Sequence, residues 1–356
     1  MDVIDQAAAI RPELPPYKFK SLRNQNRILI RVFHLIAETA ARLSRRQTDE
    51  YLHAPGAKAY ELLLDPFRKI TGLPDYTEGI YLNNSATYTD AQAAQINLLI
   101  QATGAREGDR ILDVGCGHGT LLERCRELGI VASGVTVSRP QAIDCQRRGL
   151  DVRLASVDEL SYTFRQNEFD AIVMNGSTEH FAAAADALVG AEHNVWRRMF
   201  ASCASVLQEG GRLVVTSLHC RQRQNPCQVI KHPMALPSQS DEFYWSILNR
   251  FYSGWYPTGA DYVLAARDSN LQLVREWEMT AHYLRTSIDW GLLNSAAERA
   301  HRKEVLALYK NLATRDPRYF FISMLYELYD PWRWQLLGGA ASPAIHKWQL
   351  YQLRGR

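Results

Sequence analysis

The stretch ILDVGCGHGT, residues 111–120, constrains the fold of this chain more than any other part of its sequence. Three glycines, Gly115, Gly117 and Gly119, alternate directly behind a short apolar run. A buried strand that runs into such a turn is typical of the first strand of an α/β domain, where the bare backbone approaches a ligand closely. Dinucleotide sites favour Gly-x-Gly-x-x-Gly, so this spacing argues against a nicotinamide oxidoreductase.

An aspartate immediately before the turn, Asp113, indicates the charge of the ligand. A carboxylate would repel a pyrophosphate, but it attracts the ammonium or sulfonium group of S-adenosylmethionine. The glycines let the turn pass close to the amino-acid and ribose portion of that cofactor. The sequence therefore predicts S-adenosylmethionine at this turn.

Further short apolar runs follow the glycine turn and predict the rest of a sheet. The candidate strands, separated by helical or turn-rich sequence, are 131–137, 151–156, 169–175, 211–219 and LQLVREWEM at 271–279. Strands that alternate with helices in this way predict a parallel sheet covered on both faces. A helix is predicted before the first strand, in DAQAAQINLLIQATG.

Residues 1–78 are predicted to be a helical N-terminal extension or cap. In NRILIRVFHLIAETAARLSRR the apolar stripe consists of Ile28, Val32, Leu35 or Ile36, Thr39 and Leu43. Such a stripe predicts an amphipathic helix that packs on the following domain, with a membrane-surface role as the alternative. A second special segment, residues 220–260, is dense in aromatic side chains and is predicted to be an inserted lid over the ligand crevice.

Charge and cysteine usage limit the partners. The 41 basic and 38 acidic residues leave a formal net charge of +3, which gives no support for a nucleic-acid partner. The six cysteines are spread singly, without metal-like grouping, and predict reduced thiols and no metal site. The N-terminus lacks a signal-peptide pattern, and no run reaches about 18 apolar residues, so we expect a cytoplasmic protein without a transmembrane segment. A homo-oligomer is compatible with the sequence.

Five segments occur in the order of a known family. They are DAQAAQINLLI, LDVGCGHGTLLERC, SGVTVSRPQ, NGSTEHF and GWYPTGADYVLAARDSNLQLVREWEMTAHYLRTSIDW. On these motifs the chain resembles class I S-adenosylmethionine-dependent methyltransferases, and within them the cyclopropane-fatty-acyl-phospholipid synthase family with its mycolic-acid methyltransferase relatives. The resemblance implies a Rossmann-like α/β fold with a mostly parallel seven-stranded sheet, and a methyltransferase domain over residues 79–356.

The resemblance also implies the residues that bind the cofactor. Asp113, Gly115 and Gly117 would line its amino-acid end, and Tyr81 would close over it. The set is completed by Thr136 and Gln141 at the ribose, by Asp158 near the adenine, and by Asn175.

The lipid-modifying members of this family hold a bicarbonate ion beside the transferred methyl group, where it acts as a base on a carbocation. Its ligands include a glutamate in a Glu-His pair and a tyrosine in a His-Tyr-x-x-Thr motif, which Glu179 and Tyr283 match. They also include a cysteine at the N-terminal gate, where this chain has Asn83 and Asn84.

The family's remaining ligand is a histidine after a central strand. His219 lies three residues beyond the aligned position, which Thr216 occupies. Either the anion is held differently or a protein group is the base, and Glu179 is a candidate because a carboxyl group near an apolar pocket has a raised pKa. The predicted catalytic residues are therefore Glu179, Tyr283 and His219.

These observations predict an enzyme that methylates a carbon of an electron-rich double bond in an apolar, lipid- or isoprenoid-like small molecule, followed by proton loss. Cyclopropane formation on an unsaturated acyl chain and N-methylation of a small amine are the alternatives. From another class, a cofactor-binding module without catalysis is the alternative.

Overall fold

A seven-stranded sheet forms the centre of the molecule. The computed structural model describes residues 2–16, 27–43, 57–73, 75–338 and 341–355. The strands are β1 (Arg110–Val114), β2 (Val131–Thr136), β3 (Asp151–Leu154), β4 (Phe169–Asn175), β5 (Leu207–Cys220), β6 (Leu271–Glu278) and β7 (Ala344–Leu353). Their order in the sheet is β3-β2-β1-β4-β5-β7-β6.

The first five strands pair in parallel, whereas β7 lies antiparallel between β5 and β6. This topology confirms the predicted Rossmann-like fold with a mostly parallel sheet. The six strands predicted from apolar runs are all present, and their ends differ by a few residues. The sequence analysis predicts no strand at β7, which completes the sheet.

Helices cover both faces of the sheet. They are α1 (Val3–Ala9), α2 (Arg27–Leu43), α3 (Ala57–Ala59), α4 (Asp65–Thr71), α5 (Tyr88–Thr103), α6 (Thr120–Glu127), α7 (Arg139–Arg147), α8 (Leu160–Thr163), α9 (Ala184–Leu188), α10 (Glu192–Val206), α11 (Pro226–Val229), α12 (Asp241–Tyr252), α13 (Asp261–Arg267), α14 (Thr280–Ala300), α15 (Arg302–Arg315), α16 (Pro317–Tyr329) and α17 (Pro331–Trp334). A π-helical turn, Tyr60–Leu64, joins α3 to α4.

The core has one layer on each side of the sheet. Ile111 and Leu112 are neighbours in β1 and both fully buried, but they belong to different apolar clusters because successive side chains of a strand point to opposite faces. Burial on both faces is the reason that the sequence of a central strand such as β1 is a continuous apolar run. The sheet is therefore a rigid support for the loops at its carboxyl edge.

Helix α2 buries a different face from the predicted one. The predicted stripe is solvent-exposed at Val32, Leu35 and Ile36, while the side chains of Ile28 and Leu43 lie outside the described residues. Ile30 and Ala37 are buried instead, because α2 packs on α16, where Glu38 also pairs with Arg318 at 3.0 Å. Within the described part of the chain, no helix has the length and apolar character needed to cross a membrane.

Candidate active site

Two adjoining cavities lie at the carboxyl edge of the sheet, where an open α/β sheet usually binds its ligand. The larger one, which we call the outer cavity, has a volume of about 500 Å³, within the usual range of small-molecule sites. Its lining includes nearly all of the predicted cofactor-binding residues: Asp113, Gly115, Gly117, Thr136, Gln141, Asp158 and Asn175. The ends of β1, β2 and β4 bring these residues together.

The glycine turn allows close approach of a ligand at one position in particular. Gly117 has a φ of +53°, and a Cβ atom built on it would meet no atom within 4 Å, so its open side faces the outer cavity. Gly115 has a φ of +85°, but a Cβ atom there would lie 2.6 Å from Ser177 Cβ. Gly115 is therefore required for packing, and Gly117 for access.

Asp113 provides the negative charge that the sequence analysis expects. Its side chain is 4% exposed, and its Oδ1 atom has no hydrogen-bond partner among the described residues. Burial, and then the neighbouring charge of Asp75, raise the pKa of Asp113 to about 7. A buried carboxylate oxygen without a partner suits an ammonium group, so the site fits the amino-acid end of S-adenosylmethionine.

The N-terminal extension reaches into the cofactor site. Asp65 at the start of α4 accepts hydrogen bonds from His118 Nε2 at 3.0 Å and from Gln141 Nε2 at 3.1 Å. Gln141 Oε1 in turn accepts a hydrogen bond from Thr136 Oγ1 at 3.0 Å. This buried network fixes the predicted ribose contacts, and it ties α4 to the glycine turn through His118.

Tyr81 does not lie where it could close over the cofactor, contrary to the prediction from the sequence. It lies outside both sets of cavity-lining residues, and its hydroxyl group donates a hydrogen bond to Asp289 at 2.8 Å. Tyr76 lines both cavities instead. The gate residues Asn83 and Asn84 are exposed and also line neither cavity, because the chain passes the site at residues 75–78, before it reaches them.

The smaller cavity, which we call the inner cavity, has a volume of about 80 Å³. It adjoins the outer cavity, because the same residues line both: Tyr60, Tyr76, Thr77, Asn175, Gly176 and His180. Its walls carry eight aromatic rings, those of Tyr60, Tyr76, Tyr88, Tyr252, Tyr256, Tyr283, Trp290 and Trp332. Two carboxyl groups, Glu78 and Glu179, also line it.

The segment predicted as a lid contributes part of this wall. Tyr252 and Tyr256 come from residues 220–260, and the backbone around them is fixed to the turn that follows β4. Trp255 N donates a hydrogen bond to Glu179 O at 3.0 Å, and His180 Nδ1 donates one to Ser253 O at 3.1 Å. The segment is therefore part of the inner-cavity wall, and its role as a lid over the substrate stays a prediction.

Glu179 lies in the short 3₁₀ turn Thr178–His180 after β4 and is 4% exposed. Burial, with a further contribution from the charge of Glu78, raises the pKa of Glu179 to about 8. The carboxyl group is therefore mostly protonated at neutral pH, and in that form it donates a hydrogen bond and accepts no proton.

Replacing Glu179 should change how stability depends on pH. The folded state keeps a proton that the unfolded chain loses near its ordinary pKa of 4.5, so the wild-type protein loses stability as the pH rises from about 4.5 to about 8. We expect Glu179→Gln to melt at least about 2 °C above wild type near pH 8 and to converge with it near pH 5. Calorimetry checks this, with the exposed Glu304→Gln as control; identical pH dependence in all three proteins would contradict the raised pKa.

Glu78 has the opposite protonation state. Burial acts to raise its pKa, but His346 and the amide of Gln95 outweigh that effect and leave the pKa below its ordinary value. Gln95 Nε2 donates a hydrogen bond to Glu78 Oε2 at 2.7 Å, and His346 Nε2 lies 3.4 Å from Glu78 Oε1, without hydrogen-bond geometry. The inner cavity thus contains one ionised and one protonated carboxyl group.

Of the other two predicted catalytic residues, Tyr283 lines the inner cavity and His219 does not. His219 lies on β5 next to Leu218, which lines the cavity, and neighbouring side chains of a strand point to opposite faces. Its ring instead packs on Tyr262, with the ring centroids 5.2 Å apart, and its Nε2 atom is 3.0 Å from Ser217 Oγ. The prediction of a catalytic His219 is therefore wrong.

A bicarbonate ion does not fit the inner cavity. Of the residues matched to its ligands, only Glu179 and Tyr283 line the cavity among the described residues. Thr216, at the position of the family's histidine, donates a hydrogen bond to Asn175 Oδ1 at 2.8 Å. The ionised carboxylate of Glu78 lines the same cavity, so it would also repel a bicarbonate ion there.

Sequence reasoning missed several residues of the site. Tyr60 and Glu78 belong to the region treated as a cap, and His346 belongs to the strand that was not predicted. Asp75, which lines the outer cavity, lies close enough to Asp113 to affect its pKa. The acidic residues of PDYTEG, in the segment that leads to α5, are the available signal for Asp75 and Glu78.

The sheet order, the glycine turn with Asp113, and the cavity at the carboxyl edge together define a class I S-adenosylmethionine-dependent methyltransferase. The sequence profile of the family described as mycolic acid cyclopropane synthetase matches residues 51–320, and the chain belongs to this family. It is an enzyme, and S-adenosylmethionine is its cofactor.

Individual relatives are distant. The cyclopropane mycolic acid synthase MmaA2 of Mycobacterium tuberculosis is 25% identical over 259 residues, which cover 70% of this chain and 80% of the relative. The structure of the mycolic acid cyclopropane synthase CmaA1 complexed with SAH and CTAB has a TM-score of 0.63 at 21% identity, covering 84% of this chain and 97% of that one. Coclaurine N-methyltransferase, bound to N-methylheliamine and SAH, has a TM-score of 0.60 at 16% identity, covering 90% and 94%.

Proposed function

We propose that this protein transfers the methyl group of S-adenosylmethionine to a carbon of an electron-rich double bond in an apolar, lipid- or isoprenoid-like acceptor. The observation that carries the proposal is the inner cavity, where aromatic rings and two buried carboxyl groups surround a space that adjoins the cofactor site. Membership in the mycolic acid cyclopropane synthetase family supports the same class of acceptor.

The lining of the inner cavity suits a cation formed on the acceptor. S-adenosylmethionine supplies an electrophilic methyl group, and attack by an alkene leaves a carbocation. Aromatic faces attract cations, each by about 0.5–2 kcal/mol according to how dry the site is. Tyr256, Trp290 and Trp332 present such rings, and the ionised Glu78 adds a full negative charge.

The product depends on which carbon of the cation loses the proton. Loss from a carbon next to the cation restores a double bond and gives a methylated alkene. Loss from the transferred methyl group closes a three-membered ring and gives a cyclopropane. Both products follow from the same first step, so the proposal covers both and commits to methylation at carbon.

N-methylation of an amine is the second candidate, because the same surroundings attract an ammonium group. An aromatic cage with one ionised carboxylate is a common way to bind such a group. The aromatic rings of the wall favour the alkene, whose positive charge arises only during the reaction and can be stabilised there selectively.

A screen of acceptors with isotope-labelled S-adenosylmethionine distinguishes methylation at carbon from N-methylation. We expect label in unsaturated isoprenoid or acyl acceptors, together with release of S-adenosylhomocysteine, and no label in saturated analogues of the same length. Proton NMR of the product then distinguishes an added methyl group from a ring methylene. Label confined to amines would reject methylation at carbon.

A further inference from the structure

Two buried residues outside the predicted catalytic set, Glu78 and His346, form a pair beside the inner cavity. Glu78 is 6% exposed and lines the cavity directly. His346 on β7 is 1% exposed, and neither of its ring nitrogens has a hydrogen-bond partner among the described residues. A buried imidazole that makes no hydrogen bond, with a buried carboxylate 3.4 Å away as its ion-pair partner, is costly for stability and therefore suggests a function.

The two oxygens of the Glu78 carboxylate have different neighbours. Its Oε2 atom is held by Gln95 Nε2 at 2.7 Å. Its Oε1 atom lies 3.2 Å from the position that a Cβ atom on Gly176 would occupy, and Gly176 lines both cavities. Glu78 Oε1 thus lies beside Gly176, a residue that the walls of both cavities share.

His346 is itself fixed in orientation. The ring of Tyr283 stacks on it with the ring centroids 4.5 Å apart and an interplanar angle of 5°. Thr280 Oγ1 accepts a hydrogen bond from the His346 backbone at 3.1 Å. The imidazole can therefore turn little, and its Nε2 atom stays 3.4 Å from Glu78 Oε1.

From this geometry we propose that Glu78 is the proton acceptor of the methyl-transfer reaction, that His346 is the residue that positions it, and that this pair replaces a bound bicarbonate ion. The inference rests on the proposed function only in needing a proton to be removed, and it holds for an alkene or an amine acceptor. The Glu179 carboxyl group then serves as a neutral donor in the cavity wall.

The proton transfer balances without any further reagent. The π pair of the acceptor double bond forms the bond to the methyl carbon, and the carbon–sulfur pair stays on sulfur, which becomes neutral. The cation left on the acceptor loses a proton to Glu78 Oε1, and the pair of the broken C–H bond forms the new double bond or the ring bond. Glu78 is then neutral, and its proton passes to solvent after product release.

The first experiment is kinetic and compares amide variants of the two carboxyl groups. Turnover is measured at saturating S-adenosylmethionine with the acceptor that gives most product in the labelled screen, whether alkene or amine. We expect Glu78→Gln to lose at least about a hundredfold in turnover while the dissociation constant of S-adenosylmethionine changes less than about threefold. Glu179→Gln keeps a neutral donor, so its turnover should stay within about tenfold of wild type. The turnover of the exposed control Glu304→Gln should stay within about threefold.

Turnover of Glu78→Gln within about threefold of wild type, or a hundredfold loss in Glu179→Gln alone, would overturn the assignment. So would a wild-type enzyme whose rate falls when bicarbonate and carbon dioxide are removed from the buffer, because a protein base needs neither. Labelling of amines would reject methylation at carbon without affecting the comparison between Glu78 and Glu179, so the two failures are distinguishable.

The pH profile of turnover distinguishes a positioning role of His346 from a merely structural one. The titratable groups that face Glu78 are those of His346, Glu179, Tyr60, Tyr88 and Tyr283, and burial keeps the pKa of the three tyrosines well above their ordinary range. Removing the imidazole takes away the group that lowers the pKa of Glu78, so His346→Asn should move the acid limb of the turnover profile to higher pH.

A cationic probe tests the same pair without any acceptor. Dodecyltrimethylammonium, used below its micelle-forming concentration with saturating S-adenosylhomocysteine, carries a permanent charge that resembles the cation formed on the acceptor. We expect Glu78→Gln to weaken its binding at least about tenfold, with dodecanol binding and Glu304→Gln unchanged, as measured by calorimetry. Equal affinity in wild type and Glu78→Gln, with an unshifted pH profile in His346→Asn, would overturn the proposal.

Discussion

Gly117→Val should abolish cofactor binding at concentrations that saturate the wild-type protein. The position that a Cβ atom would take on Gly117 is empty and faces the outer cavity, so the valine side chain would occupy space that the cofactor needs. We expect the dissociation constant of S-adenosylmethionine to rise at least about a hundredfold, or about 2.7 kcal/mol. Asp113→Ala, which removes the countercharge but no space, should cost at least about tenfold.

A matched control separates blocked access from a strained backbone. Gly117 has a φ of +53°, a conformation that costs an L-residue about 1–2 kcal/mol. Gly149 has a φ of +73°, is equally open, and lines neither cavity. Gly149→Val should therefore lose similar stability and keep its affinity. Calorimetric titration of both variants decides the matter, since unchanged affinity in Gly117→Val would reject the assigned cofactor site.

The sequence was most informative where one short segment determines both structure and chemistry. The glycine turn requires positive φ angles that glycine adopts without strain, and Asp113 lies two residues before its first glycine. The central strands β1, β4 and β5 are buried on both faces, so their apolar runs stand out from the polar loops. For these reasons the fold, and the residues at the ends of β1, β2 and β4, could be predicted locally.

Prediction was weaker where a residue's role depends on distant parts of the chain. Glu78 and His346 are separated by most of the sequence, and only the antiparallel insertion of β7 between β5 and β6 brings them together. His219 lies three residues beyond the position of the family's histidine, which is a small distance in sequence. Because successive side chains of a strand alternate between its two faces, a shift of three residues puts His219 on the opposite face of β5. The protonation state of Glu78 depends on His346 and Gln95, and that of Glu179 on burial and on the charge of Glu78, so both depend on contacts between distant parts of the chain.

Leu218→Trp should nearly eliminate methyl transfer to the acceptor while cofactor binding persists. Leu218 is 3% exposed on β5 and lines the inner cavity but not the outer one. An indole ring in a cavity of about 80 Å³ leaves no room for the reacting end of an acceptor. We expect kcat/KM for the acceptor to fall at least about a hundredfold, with the dissociation constant of S-adenosylmethionine within about threefold of wild type.

The rigidity of the sheet makes this substitution a clear test. Leu218 lies on a central strand paired with β4 and β7, so the backbone cannot move aside, and overpacking there should cost about 1–3 kcal/mol of stability. Leu218→Met nearly conserves volume and should keep most of the activity. Thermal melting of both variants shows whether the fold is intact at the assay temperature. If folded Leu218→Trp methylates its acceptor at the wild-type rate, the acceptor must react elsewhere, because two bulky groups cannot share the inner cavity.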